Sequence, residues 1–179
     1  MRLDPKYFNL FIGICAALTV LIIFYSTVRY SQNQVRDFEK RVMEYNFDDL
    51  TLKSFTAPDS IHFNQLKLEK SPMIIHFWST WSERSLEVNQ FLTEYRESYP
   101  ELIVVAVAVR DSDEQIKDYI AVQDEHFTYV EGTAFYQSLK VPGMPSQLLF
   151  RADGSLFSTH VGNHLNSLKQ ELDNLMMDE

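Results

Sequence analysis

From Tyr7 to Val28 the chain runs 22 residues without a charged side chain: YFNLFIGICAALTVLIIFYSTV. A helix rising ~1.5 Å per residue would carry this stretch across roughly 33 Å, the hydrocarbon thickness of a bilayer. Tyr7, Phe8, Phe24, Tyr25 and Tyr30 lie near its two ends, where amphipathic rings favour the interface. A cleaved signal peptide has a shorter apolar run and a small-x-small site after it, and FYSTVRYSQ supplies no such site. The reading is therefore an uncleaved membrane anchor over residues 1–29. Arg2 and Lys6 precede the span, while Arg29, Arg36, Lys40 and Arg41 follow it. By a small margin this count favours keeping the C-terminal side in the cytoplasm.

Residues 30–49 read as a helical juxtamembrane stalk. Val28, Val35 and Val42 recur every seven residues, as do Phe38 and Tyr45, and Leu21 and Phe24 carry the seam back into the span. Two copies could zip along it as a parallel coiled coil, giving a structural homodimer. Alternatively, one helix lays the stripe on its own domain. Only about two heptads are soluble, fewer than a secure coiled-coil assignment needs.

The remainder, 50–179, is rich enough in apolar residues to build a core: hydrophobic residues make up 45% of the chain and aromatics 13%. Net charge is −9, carried mostly beyond the anchor. An acidic domain repels phosphate backbones, so nucleic acid is not an expected partner, and neither are anionic lipid headgroups at the domain surface. The single cysteine, Cys15, lies in the apolar span. An intramolecular dithiol/disulfide cycle needs two sulfurs in one chain and is excluded.

Strand and helix patterns alternate through this domain. TLKSF and SIHF are short strand-like pieces separated by Ala57-Pro58-Asp59, and MIIHFW is a continuous apolar run suited to a strand covered on both faces. A helix over Ser82 to Tyr99 follows, stopped by Pro100. LIVVAVAV is a second buried strand. SDEQIKDYIAVQD is an amphipathic helix capped by Ser112, with Ile116, Tyr119 and Ile120 inward. HFTYV, TAFYQSLK, SQLLF and SLFSTHV read as strand, short helix and two strands, the last pair joined by Arg151-Ala152-Asp153-Gly154, a tight-turn signal. LNSLKQELDNLM closes the chain as a helix with Leu165, Leu168, Leu172 and Leu175 on one face. The fold class is α/β: a mixed central sheet flanked by helices, preceded by one transmembrane helix.

This order resembles the thioredoxin fold, and more specifically the membrane-anchored, TlpA-like thioredoxin family of bacteria. Three landmarks carry the resemblance in the right order over Leu50 to about Met177. They are FWSTWS, where the family reads Phe-Trp-Ala-Thr-Trp-Cys, then VPGMPS with its proline, and LLFRADGSL in the hairpin. The resemblance implies a domain outside the cytoplasmic membrane, against the flanking-charge count, and a cis proline at Pro145. It also implies a groove formed by Trp81, Ser82, Glu83, Arg84, Ser85, Met144 and Pro145 that pairs with an extended peptide. The departure is at the chemistry. The family's Cys-x-x-Cys is Ser82-Glu83-Arg84-Ser85 here. The family's reaction starts from a thiolate whose pKa is lowered at a helix start, and a serine hydroxyl stays protonated there. No catalytic residue is therefore assigned, and a redox-inactive binding or accessory protein in an envelope pathway is expected, with no cofactor.

The same residues admit other readings. In one, Ser82 hydrogen-bonds a bound thiolate, as in a glutathione-type thiol-binding enzyme; in another, the fold retains an oxidoreductase role that uses a partner's sulfur. His76, six residues before Ser82, occupies the place where thioredoxins carry a buried acid and would lie below Ser85. A Ser85–His76 relay is conceivable, but no Gly-x-Ser-x-Gly elbow is present, and a hydrogen-bonded structural histidine is the simpler reading. Thr80-x-x-Glu83 fits a capping box, with Ser82 able to cap one register later. Trp81 is expected to be exposed and Trp78 to be in the core. His160 and His164 are four apart with no third ligand apparent, so no metal is expected. Asp111, Asp113 and Glu114 read as the solvated start of a helix.

Overall fold

The computed structural model describes residues 5–57, 60–123 and 126–178. Pro58, Asp59, Asp124 and the flanking Arg2 lie outside them. Met1–Asp37 and Phe38–Glu179 form two compact units, and helix α1 (Pro5–Glu44) supplies the first and enters the second.

In the first unit α1 is long and apolar enough to cross a membrane. Its apolar side chains, Leu21, Ile22 and Phe24 among them, are exposed. Bare hydrocarbon along a helix suits lipid, not water. The hydroxyls of Thr19 and Thr27 donate to the carbonyls of Cys15 and Ile23, each at 2.9 Å. No polar group of these two side chains then needs water.

The second unit is built on a five-stranded sheet of order β5-β4-β3-β6-β7. Strand β3 (Met73–Trp78) lies at its centre, parallel to β4 (Ile103–Ala108) and antiparallel to β6 (Ser146–Phe150). Beyond them lie β5 (Thr128–Glu131), parallel to β4, and β7 (Leu156–Val161), antiparallel to β6. Every β3 residue is buried. Met73, Ile75 and Phe77 enter one apolar cluster with Phe38, Val42, Phe135 and Leu148. Ile74 and Trp78 enter the other, under α3 (Glu83–Ser98) and α6 (Leu165–Met177), with Val88, Leu92, Leu168 and Leu172. The outer edge of β5 is covered by the segment 53–55: Phe55 N–H donates to the Tyr129 carbonyl, and Glu131 N–H to the Lys53 carbonyl, both at 2.8 Å. That cover removes an open edge that would otherwise pair with other chains. The hairpin turn between β6 and β7 places Gly154 at φ 82°, a conformation glycine adopts without steric cost.

Two sequence expectations change. The globular unit begins at Phe38, not Leu50. Phe38 and Val42 are 0% and 1% exposed, and Tyr45 packs against the same cluster. This part of the heptad stripe is therefore spent on the chain's own core. The strand proposed over SIHF is also shorter. Thr51–Leu52 (β1) and Ile61–His62 (β2) form a two-residue pair, and Phe63 already opens helix α2 (Phe63–Lys67). The Gln65 side chain accepts the His62 N–H at 3.4 Å, which turns the chain into the helix.

Phe38→Ala is expected to destabilise the unit by about 3–5 kcal/mol, the usual cost of emptying a buried phenylalanine site. Denaturant unfolding of the full chain in detergent, followed by near-ultraviolet circular dichroism, measures it. An unchanged midpoint would free the stripe for an intermolecular contact.

Candidate functional site

The site forms where β3 ends. Its last residues are paired on both sides, Phe77 with Ser146 and Trp78 with Ala108. The residues just past Trp78 and those just before Ser146 therefore emerge side by side. The first are Ser79, Thr80 and Trp81, and the second are Met144 and Pro145.

Each segment is fixed by its own bonds. Thr80 donates twice to the Asp111 carboxylate, from N–H to Oδ2 at 3.0 Å and from Oγ1 to Oδ1 at 2.7 Å. Val109 N–H donates to the Trp78 carbonyl at 2.9 Å. With the loop pinned from behind, the two tryptophans separate. Trp78 is fully buried, its ring centroid 4.7 Å from Tyr119 and 5.6 Å from Tyr129. Trp81 is 60% exposed. On the other side the Met144–Pro145 bond is cis, the Ser146 hydroxyl donates to the Gly143 carbonyl at 2.7 Å, and Gly162 N–H donates to the Pro145 carbonyl at 2.9 Å. Asn163, in the same loop as Gly162, donates from Nδ2 to Glu87 Oε2 at 2.7 Å and so ties that loop to α3.

Ser82 is the N-cap of α3. Its backbone is extended (φ −99°, ψ 102°) and its Oγ accepts the Ser85 N–H at 3.3 Å. The alternative Thr80–Glu83 capping box does not form, because the Thr80 hydroxyl is committed to Asp111. Asp111 is thus no solvated helix start: it is the clamp on the Trp81 loop. Asp113 does sit in the first turn of α4 (Asp113–Val122), exposed and paired with Lys53.

Beneath the helix start lies a buried polar group. Ser85, His76, Asn89 and Gln147 are all inaccessible to solvent. Ser85 was expected to line the groove, but it turns into the interior on the covered face of α3 and cannot touch a bound partner. Glu83 and Arg84 are exposed, Ser82 and Met144 are half-buried, and Pro145, also expected to line the groove, is buried. His76 Nδ1 lies 3.1 Å from Gln147 Nε2, which places the amide as donor to the ring. Burial lowers the His76 pKa to about 3, although Asn89 and the backbone of Ser85 and Ser146 favour the charged ring. An imidazole that stays neutral down to that pH is a weak base, and Ser85 has no path to solvent. The pair does not make a hydrolytic relay.

His160 is nearly buried, and its Nδ1 lies 3.0 Å from Glu171 Oε1. His164 is exposed and immediately precedes α6. Among the described residues no group of three or more His, Cys, Asp or Glu converges on one point. The clamp of Thr80 by Asp111 and the Glu87–Asn163 tie escaped the sequence reading. They join residues 31 and 76 positions apart, and no local pattern announces either.

No family model matches the chain, and no curated protein matches it in sequence. Solved structures do match in shape. A candidate thiol:disulfide interchange protein DsbE from Chlorobium tepidum superposes with TM-score 0.62 at 19% identity, over 70% of this chain and 92% of that one. A secreted Mycobacterium tuberculosis disulfide oxidoreductase homologous to E. coli DsbE gives 0.59 at 17% identity, over 76% and 99%. StoA from Bacillus subtilis gives 0.54 at 17% identity, over 69% and 95%. Together with the sheet order and the cis proline, these similarities show that the chain has the thioredoxin fold.

Buried His76 makes stability depend on pH. The unfolded chain binds a proton near pH 6.5, while the folded chain binds it only near 3. Its contribution is complete above 6.5 and is lost as pH falls toward 3. Unfolding free energies from denaturant titrations between pH 6 and 4 should fall ~1.4 kcal/mol per pH unit more steeply in the native chain than in His76→Asn. Equal slopes would contradict the buried neutral ring.

Proposed function

We propose that the protein is a membrane-anchored, TlpA-like thioredoxin domain that has exchanged dithiol chemistry for recognition. Its groove, formed by Trp81, Ser82, Glu83, Arg84 and Met144 beside the buried Pro145, holds a protein partner in extended form. The observation that carries this reading is Trp81. A large indole is held out in solvent beside the cis-proline loop, on a segment that Asp111 pins at two points. A tryptophan kept exposed by rigid supports is an apolar platform at low entropic cost to a ligand. The backbone of Met144 beside it suits strand-like pairing.

Loss of redox activity follows from elementary chemistry. The globular unit contains no sulfur nucleophile, since Cys15 lies in the span and neither Ser82 nor Ser85 can form a mixed disulfide. The anchor is the apolar part of α1, and the domain lies on the outer side of the cytoplasmic membrane. The family resemblance supports that side, and it outweighs the narrow flanking-charge count. The partner then belongs to an envelope pathway.

Placing a photo-reactive amino acid at position 81 of the full chain in living cells tests this reading. Capture of a discrete partner is expected from 81, with at least tenfold less from position 68, an exposed leucine at the C-terminal cap of α2. Equal or weaker capture from 81 would count against the groove.

A further inference from the structure

We infer that the open edge of β7 is a second docking site, where an extended segment of a partner protein carrying lysine or arginine adds to the sheet as a sixth strand. The inference stands apart from the Trp81 reading.

The first observation is a difference between the two edges of the sheet. At the β5 edge, residues 53–55 bond the outward backbone groups. At the other edge, β7 has β6 as its one strand neighbour. The register fixes where its backbone groups point. Gly162 N–H donates to the Pro145 carbonyl at 2.9 Å, so the next pair, Val161 and Ser146, is a non-bonded one, and so is Thr159 with Leu148. The N–H and C=O of Thr159 and Val161 therefore point away from β6. Among the described residues no hydrogen bond satisfies them. The register shifts beyond Leu149, so the regular part of this edge is the stretch 158–161.

The second observation is a slot of about 570 Å³ along the same edge. Its floor is Leu156 to Thr159. One wall is Glu39 and Met43, from the end of α1, whose Phe38 and Val42 pack on one face of the sheet. The other wall is Glu171 of α6, which covers the opposite face. The slot thus straddles the edge, and a strand added ~4.8 Å beyond β7 lies in it. Met43 is 74% exposed there, an unbranched apolar side chain that adapts to what it meets.

Charge selects the occupant. Glu39 makes no hydrogen bond or ion pair among the described residues. Glu171 accepts from Ser158 Oγ at 2.8 Å and lies 3.0 Å from His160 Nδ1, which holds its carboxylate at the slot. Arg151, 4.7 Å from the Phe157 ring, is already paired with Asp178 at 3.5 Å. Residues 156–161, LFSTHV, contain no Lys or Arg. A second copy pairing through β7 would bring two sets of carboxylates together without a cation between them. An extended segment of another chain, with a basic residue among apolar ones, satisfies the backbone, Met43 and the acids together.

Fluorescence anisotropy on the full chain in detergent tests this. The probes are an eight-residue peptide of alternating lysine and valine and its glutamate-valine counterpart. The lysine peptide should bind at least tenfold more tightly. Thr159→Pro removes an outward N–H and no bond to β6, and it should weaken binding at least tenfold. Glu39→Lys should do the same through charge alone. Amide hydrogen exchange locates the peptide: the amides of Thr159 and Val161 should slow at least tenfold when it binds. No binding, equal binding of the two peptides, or affinity unmoved by both substitutions overturns the inference. Protection at residues 81–85 in place of 159–161 also overturns it and assigns the peptide to the Trp81 groove. Slow exchange at 159 and 161 before peptide is added, lost on dilution, would make the occupant a second copy and overturn it as well.

Discussion

Strand β3 has no exposed side chain, and that requirement organises the unit around it. One face must be covered by α3 and α6, the other by α5 and the end of α1. Both edges must pair, with β4 on one side and β6 on the other. Because β4 runs parallel and β6 antiparallel, the strand's C-terminal end meets two different loops, one leaving β4 at Arg110-Asp111 and one arriving at β6 through Met144-Pro145. The proposed groove lies between those loops. Its most prominent member, Trp81, stands in solvent because Asp111 grips Thr80 and because Trp78 has already filled the interior position. Displacing β3 by one residue would exchange His76 for Ile75 or Phe77 on the helix-covered face and dismantle the site from below.

The serines divide what the dithiol site would have combined. Ser82 stays at the surface and keeps the helix start in order by accepting the Ser85 N–H, a contact of the kind that contributes about 1 kcal/mol. Ser85 faces inward among His76, Asn89 and Gln147. Neither hydroxyl can attack a disulfide as a thiolate would. The buried imidazole, kept neutral by its surroundings, belongs to the scaffold.

Much of this was readable in the residues. MIIHFW and LIVVAVAV announce buried strands because both faces are apolar, Ser112 announces its helix by capping, and Asp153-Gly154 announces the hairpin because the turn needs positive φ. Trp78 and Trp81 sorted correctly into core and surface from their places relative to the strand end. What failed depended on partners distant in sequence. Phe38 and Val42 carry a heptad spacing that suits a coiled coil as well as it suits a helix on a sheet, and only the presence of Phe135 and Leu148 on the facing surface decides between them. Asp111 looks like any acid before a helix until Thr80 is brought against it. Ser85 looks like a groove residue until the phase of α3 turns it inward.

The claim that geometry has outlived reactivity is tested most directly by insulin reduction, comparing the native chain with a variant carrying both Ser82→Cys and Ser85→Cys. The account predicts no turnover by the native protein and clear turnover by the double variant, since the loop, the helix start and the cis proline are already in place. Turnover by the native protein that survives Ser82→Ala would contradict it.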